Sequence, residues 1–197
     1  VFKPKVDVSN CLNEVIKAEY QEIDGDDWIV NDSYKVRLSR ASSGQQEAFP
    51  MLLILMMNNY RIAGLNFHSM YIEEPEAHLF PDAQAKVVSA ILKIFSKQDT
   101  NFFITTHSPY ILHAFNNSMI LGQVQAELPE ELKTELDCKD AAILPEFVSV
   151  WQISDGCLVD IKDGRTNTIG KHYFNDVMND ILDDYYLMLP YIKIAKS

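Results

Sequence analysis

The chain has 197 residues, enough for one domain with a sizeable core or one domain plus an appendage. Its 47% apolar content is ordinary for a folded protein and argues against disorder. The net charge of −11, from 28 acidic against 17 basic residues, disfavours broad attachment to DNA or to anionic membrane and leaves room for no more than a local basic groove.

Three well-separated cysteines, Cys11, Cys138 and Cys157, read as reduced thiols in a cytoplasm rather than as a disulfide framework. The longest apolar block, Met51 to Met57, is too short to span a bilayer, and no signal-peptide pattern opens the chain. The expectation is a cytoplasmic piece of something longer, with no membrane partner.

Residues 14 to 38 read as a β-hairpin: "EVIKAEYQEI" and "WIVNDSYKVRL" are rich in β-branched and aromatic residues, and "DGDD" supplies the turn. "ASSGQQEAFPMLLILMMNNY" predicts a helix from Ser42 or Ser43, with Ser43 and Gln46 at capping-box spacing. Pro50 inside it predicts a kink or a late start, and the run Met51 to Met57, apolar all round, predicts full burial. A short strand, "SMYIEE", comes next. A helix from about Pro81 follows, with Gln84, Val87, Val88, Ile91, Leu92 and Phe95 on one face. "NFFITTH" is a second buried strand, and "SPYILHAF" opens another helix. Alternation of strand and helix at this spacing predicts a parallel sheet with crossover helices.

Residues 123 to 146 are acidic and read as a surface insertion or helix. "FVSVWQI" and "CLVDIK", joined by Ser154-Asp155-Gly156, predict a late hairpin. The last helix, roughly His172 to Met188, is expected to turn Phe174, Val177, Met178, Ile181 and Leu182 inward. Asp176, Asp180, Asp183 and Asp184 then form a solvated face.

Ligands of an open parallel sheet gather beyond the carboxyl ends of its strands. Here one strand ends in Glu73-Glu74 and the other in Thr105-Thr106-His107-Ser108. Were these strands neighbours, two carboxylates and an imidazole would converge, able to hold a hydrated magnesium ion, polarise a water and touch a terminal phosphate. Adjacent strand residues point to opposite faces, so the two glutamates need not compete for one position. The bland reading is a pair of wet strand ends. "ASSGQQ" offers exposed backbone N–H groups at a helix start, a weak signal when alone.

Taken in this order, "ASSGQQEAFPMLL", "SMYIEEPEAHLFPDAQ" and "FFITTHSPYIL" resemble the C-terminal half of an ABC-type ATPase head of the SMC and RecF-like kind. The nearest resemblance is to bacterial AAA-class ATPases related to the overcoming-lysogenization-defect family. It is close over residues 35 to 115 and loose elsewhere, and "EEPEAHLFP" followed by "TTHSP" is its specific part. The resemblance implies an α/β, P-loop NTPase-like fold with a parallel sheet, flanking helices and β-hairpins, its N-terminal nucleotide-binding part missing. It implies one lobe over residues 1–197. Within it, 1–40 form the hairpin and lead-in, 41–122 hold signature, Walker B and switch histidine, and 123–197 hold the acidic insertion, hairpin and last helix.

The implied roles follow the motifs. Glu73 stands at the Walker B acid position, usually aspartate, and would hold Mg2+. Glu74 would be the general base, and His107 would sense the γ-phosphate of ATP. Ser42, Ser43, Gly44 and Gln45 form the signature segment, reading Ser-Ser-Gly where transporters have Ser-Gly-Gly. They would complete the site of an opposing protomer in a head-to-tail homodimer. Glu76, Ala77 and His78 fall where the dimer-facing D-loop lies. The implied process is nucleic-acid-related or antiphage, with a nucleic acid or a protein as partner.

No G-x-x-x-x-G-K-[ST] loop is present. "GRTNTIGKH", Gly164 to His172, has five intervening residues, ends Lys-His and reads as a turn into the last helix. The parent is thus expected to hydrolyse ATP and this piece alone is not. The alternative is a non-catalytic interaction module that keeps the ATPase shape. A Toprim-type nuclease is rejected, because Asp160 and Asp163 have the wrong spacing. Zinc is not expected, because no H-E-x-x-H pattern exists. His68 and His113 read as ordinary surface or interface histidines, and Trp28 and Trp151 as packing residues.

Overall fold

The computed structural model describes residues 8–59, 69–95 and 100–192. It divides into two compact units, Val1–Leu144 and Pro145–Ser197, which are taken separately.

The first unit opens with helix α1, Val8–Ile16, followed by an antiparallel sheet of β1 (Glu19–Ile23), β2 (Asp26–Val30) and β3 (Lys35–Arg37). Residues 14–16 therefore belong to a helix rather than to the expected hairpin. Their apolar members, Val15 and Ile16, are 2% exposed because α1 turns them into the core. Gly25, at φ 82°, makes the turn between β1 and β2. Trp28 packs beneath the cations of Lys35 and Arg37, in keeping with a packing role.

Helix α2, Ser43–Asn59, runs through Pro50 without the late start expected there. Its capping pair is Ser42 with Gln45 rather than Ser43 with Gln46. Ser42 Oγ accepts from Gln45 N and Gln45 Oε1 accepts from Ser42 N, both at 3.3 Å. The expected full burial of Met51–Met57 does not hold. Leu52 and Leu55 enter the core, whereas Leu53 and Ile54 are 38% and 49% exposed. Helical periodicity places the two pairs on different faces, and only Leu52 and Leu55 face the core.

Strands β4 (Ser69–Glu73) and β5 (Asn101–Thr105) form the expected parallel pair, connected through helix α3 (Pro81–Phe95). Their register sets Ile72 against Ile104 and Glu73 against Thr105. Ile72, with Met70, Phe102 and Ile104, packs on a core built from α1, α2 and α3. That core includes Leu12, Val15, Phe49, Leu52, Leu55, Val87, Ile91 and Ile94. On α3, Gln84, Val87, Val88, Ile91 and Leu92 are buried as expected, whereas the Phe95 side chain lies outside the described residues. Each such buried aliphatic side chain contributes roughly 1.5–3 kcal/mol.

The alternate residues of the pair lie on its other face. Tyr71 and Phe103 stack at 4.8 Å between centroids, yet remain 75% and 53% exposed. Parallel sheets are ordinarily covered on both faces, so this open aromatic face is unusual.

Helix α4, Pro109–Val124, is capped by Ser108, whose side chain accepts from Tyr110 N, with Pro109 in its first turn. The acidic stretch after it holds only a short helix, α5 (Glu130–Glu135). Residues 141–144 then fold back on α4, which buries Ala141 and Ile143, so this stretch is not wholly a surface insertion. The close approach needs Gly122, where a Cβ would meet the Ile143 carbonyl oxygen at 2.2 Å.

In the second unit β6 (Trp151–Ser154) and β7 (Cys157–Asp160) form the late hairpin, which begins four residues after Phe147 because Pro145–Phe147 make a 3-10 turn. Asp163 Oδ1 accepts from the backbone N–H groups of Arg165 and Thr166, which makes Gly164–His172 a turn rather than a phosphate loop. Helix α6, Tyr173–Met188, follows. Its expected inward face is not buried: Met178, Ile181 and Leu182 are 52%, 59% and 41% exposed. The amphipathic pattern is real, but no described element covers it.

Candidate active site at the carboxyl ends of the parallel strands

The polypeptide leaves β4 through a tight turn. Glu74 donates its N–H to the Thr105 carbonyl oxygen at 3.0 Å, extending the pairing with β5, and Ala77 N returns to the Glu74 carbonyl at 2.9 Å. Pro75 sits second in that turn, where its fixed φ is favourable. Glu74 has a φ of 44° and His78 one of 57°, a region that non-glycine residues seldom occupy. Backbone held this way costs of order 1–3 kcal/mol and gathers at functional sites.

The consequence is a meeting of two side chains. His107 Nε2 lies 3.4 Å from Glu74 Oε1 at the carboxyl end of the pair. Their side chains are 81% and 53% exposed, so both are open to solvent and to a ligand. Glu73, exposed and paired in register with Thr105, lies at the same end and has the parity of Tyr71 on the open face.

Around these exposed groups lies a buried polar support. Glu76 is 9% exposed, and its Oε1 accepts from Thr106 Oγ1 and from His107 N, each at 2.7 Å. Thr106 Oγ1 accepts in turn from Ser108 N at 3.0 Å. Ser108 Oγ donates to Gln84 Oε1 at 2.5 Å, and Gln84 Nε2 donates to the Leu79 carbonyl at 2.9 Å. Three buried side chains thus lock the 106–108 segment against the 76–79 turn. One hint of this was readable in the sequence: Gln84 falls on an otherwise apolar helix face, and a buried amide needs partners.

The Ser42–Gln45 segment borders the same turn. Ser42 and Ser43 are exposed, but Gly44 is buried, and a Cβ there would lie 2.5 Å from the His78 carbonyl oxygen. Gln45 is held by protein groups, its Nε2 donating to the Ile16 carbonyl at 2.8 Å and to Tyr34 Oη at 3.0 Å. His78 Nδ1 meets Glu47 Oε2 at 3.0 Å, a second tie between α2 and the turn. Of the implied set, Glu73, Glu74 and His107 therefore share one strand end. Ser42 to Gln45 adjoin it through the 77–79 backbone.

Among the described residues no group of three His, Cys, Asp or Glu side chains could hold a metal. Magnesium seldom uses such a cage; it keeps waters and binds one or two carboxylates together with substrate phosphates. The exposed carboxylate of Glu73 fits that partial role. His113 is exposed as expected, and His68 lies outside the described residues. No described helix is long and apolar enough to cross a membrane.

A parallel strand pair joined through a crossover helix, with flanking helices and hairpins, makes this an α/β fold. A solved structure described as "Structural biochemistry of ATP-driven dimerization and DNA stimulated activation of SMC ATPases" shares it. The two align with a TM-score of 0.50 at 12% identity over 88% of each chain. The AAA ATPase domain family matches residues 2–112, more than half of the chain, and the chain belongs to that family. No curated protein matches the sequence.

Proposed function

We propose that this chain supplies the hydrolytic half of an ABC-type, SMC-like ATPase site. In this reading Glu74 orients the attacking water and His107 contacts the γ-phosphate. Glu73 holds Mg2+ through water, and Ser42 to Gln45 face the nucleotide of an opposing protomer. The observation that carries it is the 3.4 Å approach of His107 to Glu74, two exposed groups on a strand end braced by buried polar contacts. A carboxylate near an imidazole can accept a proton from water while the imidazole donates to phosphate oxygen.

The sequence has no phosphate-binding loop, so the reading requires further polypeptide to bring one. The exposed Tyr71–Phe103 face is where additional sheet and helix would pack. The related fold is named for ATP-driven dimerization and DNA-stimulated activation, and we carry both to this chain as parts of the proposal.

The test is ATP turnover by the full-length protein with and without Glu74→Gln, in the presence and absence of duplex DNA. Loss of a general base costs about 10²–10⁴-fold in rate. Turnover unchanged by the substitution would remove Glu74 from this role. The second reading, a non-catalytic interaction module, is favoured by the missing phosphate loop. It gains if the full-length protein binds ATP without hydrolysing it.

A further inference from the structure

We propose that Glu76 is a positioning residue that holds His107 in place from below. The effect on turnover rests on the ATPase reading above, while the structural effect does not. The resemblance puts Glu76 in a loop facing a partner protomer, yet its carboxylate is turned inward and 9% exposed.

The side chain of His107 is 81% exposed, with the carboxylate of Glu74 beside it at 3.4 Å. Such a side chain is aimed mainly by its own backbone. That backbone lies in a three-residue bridge between the end of β5 and the first turn of α4, where no strand or helix ladder holds it. Glu76 Oε1 supplies what the ladder does not, accepting from His107 N and Thr106 Oγ1 at 2.7 Å each. Both distances lie well within hydrogen-bond range. The second oxygen, Oε2, is buried and has no hydrogen-bond partner among the described residues.

The geometry also says which replacements should work. Glutamine has the same reach, keeps an oxygen for both donors and puts its amide group where Oε2 lacks a partner. Aspartate keeps the acidic group but is one methylene short, so its oxygen cannot stay at 2.7 Å from both donors without backbone movement. Positioning thus predicts that Glu76→Gln is mild and Glu76→Asp is severe. A requirement for negative charge predicts the reverse.

Two measurements test this. In the 197-residue chain, amide hydrogen exchange at His107, followed by NMR, should quicken at least about ten-fold in Glu76→Asp and stay near wild type in Glu76→Gln. In the full-length ATPase, kcat should fall about 10- to 100-fold in Glu76→Asp, since small misplacements of catalytic groups cost that much. There, KM for ATP should stay within about two-fold and Glu76→Gln should remain active. Unchanged His107 exchange in Glu76→Asp, or a Glu76→Gln protein as impaired as Glu76→Asp, overturns the proposal. If Glu74→Gln leaves turnover intact, the ATPase reading fails, and the exchange comparison still decides the role of Glu76. Should Glu76→Asp not fold, Thr106→Val, which removes one of the two donors, must quicken His107 exchange, and no change there is equally fatal.

Discussion

Replacing Gly44 by alanine sets two effects of opposite sign against each other. Alanine is the better helix former, by about 1 kcal/mol in a helix interior and less in the first turn, where residue 44 lies. Against this, the added Cβ would sit 2.5 Å from the His78 carbonyl oxygen, 3.0 Å from Leu79 Cδ2 and 3.1 Å from the His78 carbonyl carbon. Real Cβ contacts essentially never fall below 3.0 Å, so the start of α2 and the 77–79 turn must part by about half an ångström. The obstacle is backbone, already held by the Glu76–Leu79 hydrogen bond, so it cannot simply rotate aside. Overpacking of this sort costs roughly 1–3 kcal/mol, so the clash outweighs the propensity gain and a net loss of about 1–2 kcal/mol is expected. For a chain of this size that lowers Tm by roughly 2–4 °C per kcal/mol. Urea unfolding should show a lower midpoint with an unchanged slope, and Ser43→Ala, exposed in the same turn, serves as the control within about 0.5 kcal/mol. A Gly44→Ala protein as stable as wild type would falsify the close-approach argument.

Gly122→Ala should be more damaging still, because its Cβ would meet the Ile143 carbonyl oxygen at 2.2 Å and carbon at 2.5 Å. The sign to look for is a lower unfolding midpoint together with faster hydrogen exchange across residues 141–144. Tyr20 Oη donates to Asp27 Oδ1 at 2.7 Å, and that bond, with partial burial, pushes the Tyr20 pKa up to about 12. A raised folded-state pKa contributes stability that is whole below about pH 10 and is lost as pH rises through about 12. Asp27→Asn should bring the phenol's titration, followed by ultraviolet absorbance, back toward its ordinary value. An unaltered titration curve would show that the hydrogen bond is not its cause.

Much of the site was legible because it is local in sequence. "YIEE" and "FFITTH" carry strand patterns that end in polar residues, and the helices after them announce themselves by Pro81 and by Ser108-Pro109. A crossover helix between two such strands forces them parallel, and with that Glu74 and His107 arrive at one end. Local pattern misled where two structures share one composition. Residues 14–16 look as fit for a strand as for the end of α1, and only packing on α2 and α3 chooses.

What the sequence by itself determined was the order of elements and the residue types at the strand ends, since periodicity and capping are properties of short segments. Tertiary structure alone decided which partners those residues meet. Glu76 turns inward to His107, Gly44 yields its space to the His78 carbonyl, and the amphipathic face of α6 has no described element against it. Each is a contact, or the lack of one, between segments tens of residues apart or with no described neighbour at all. Hydrophobic patterning says that a face can be buried, and only the packed molecule says whether anything lies against it.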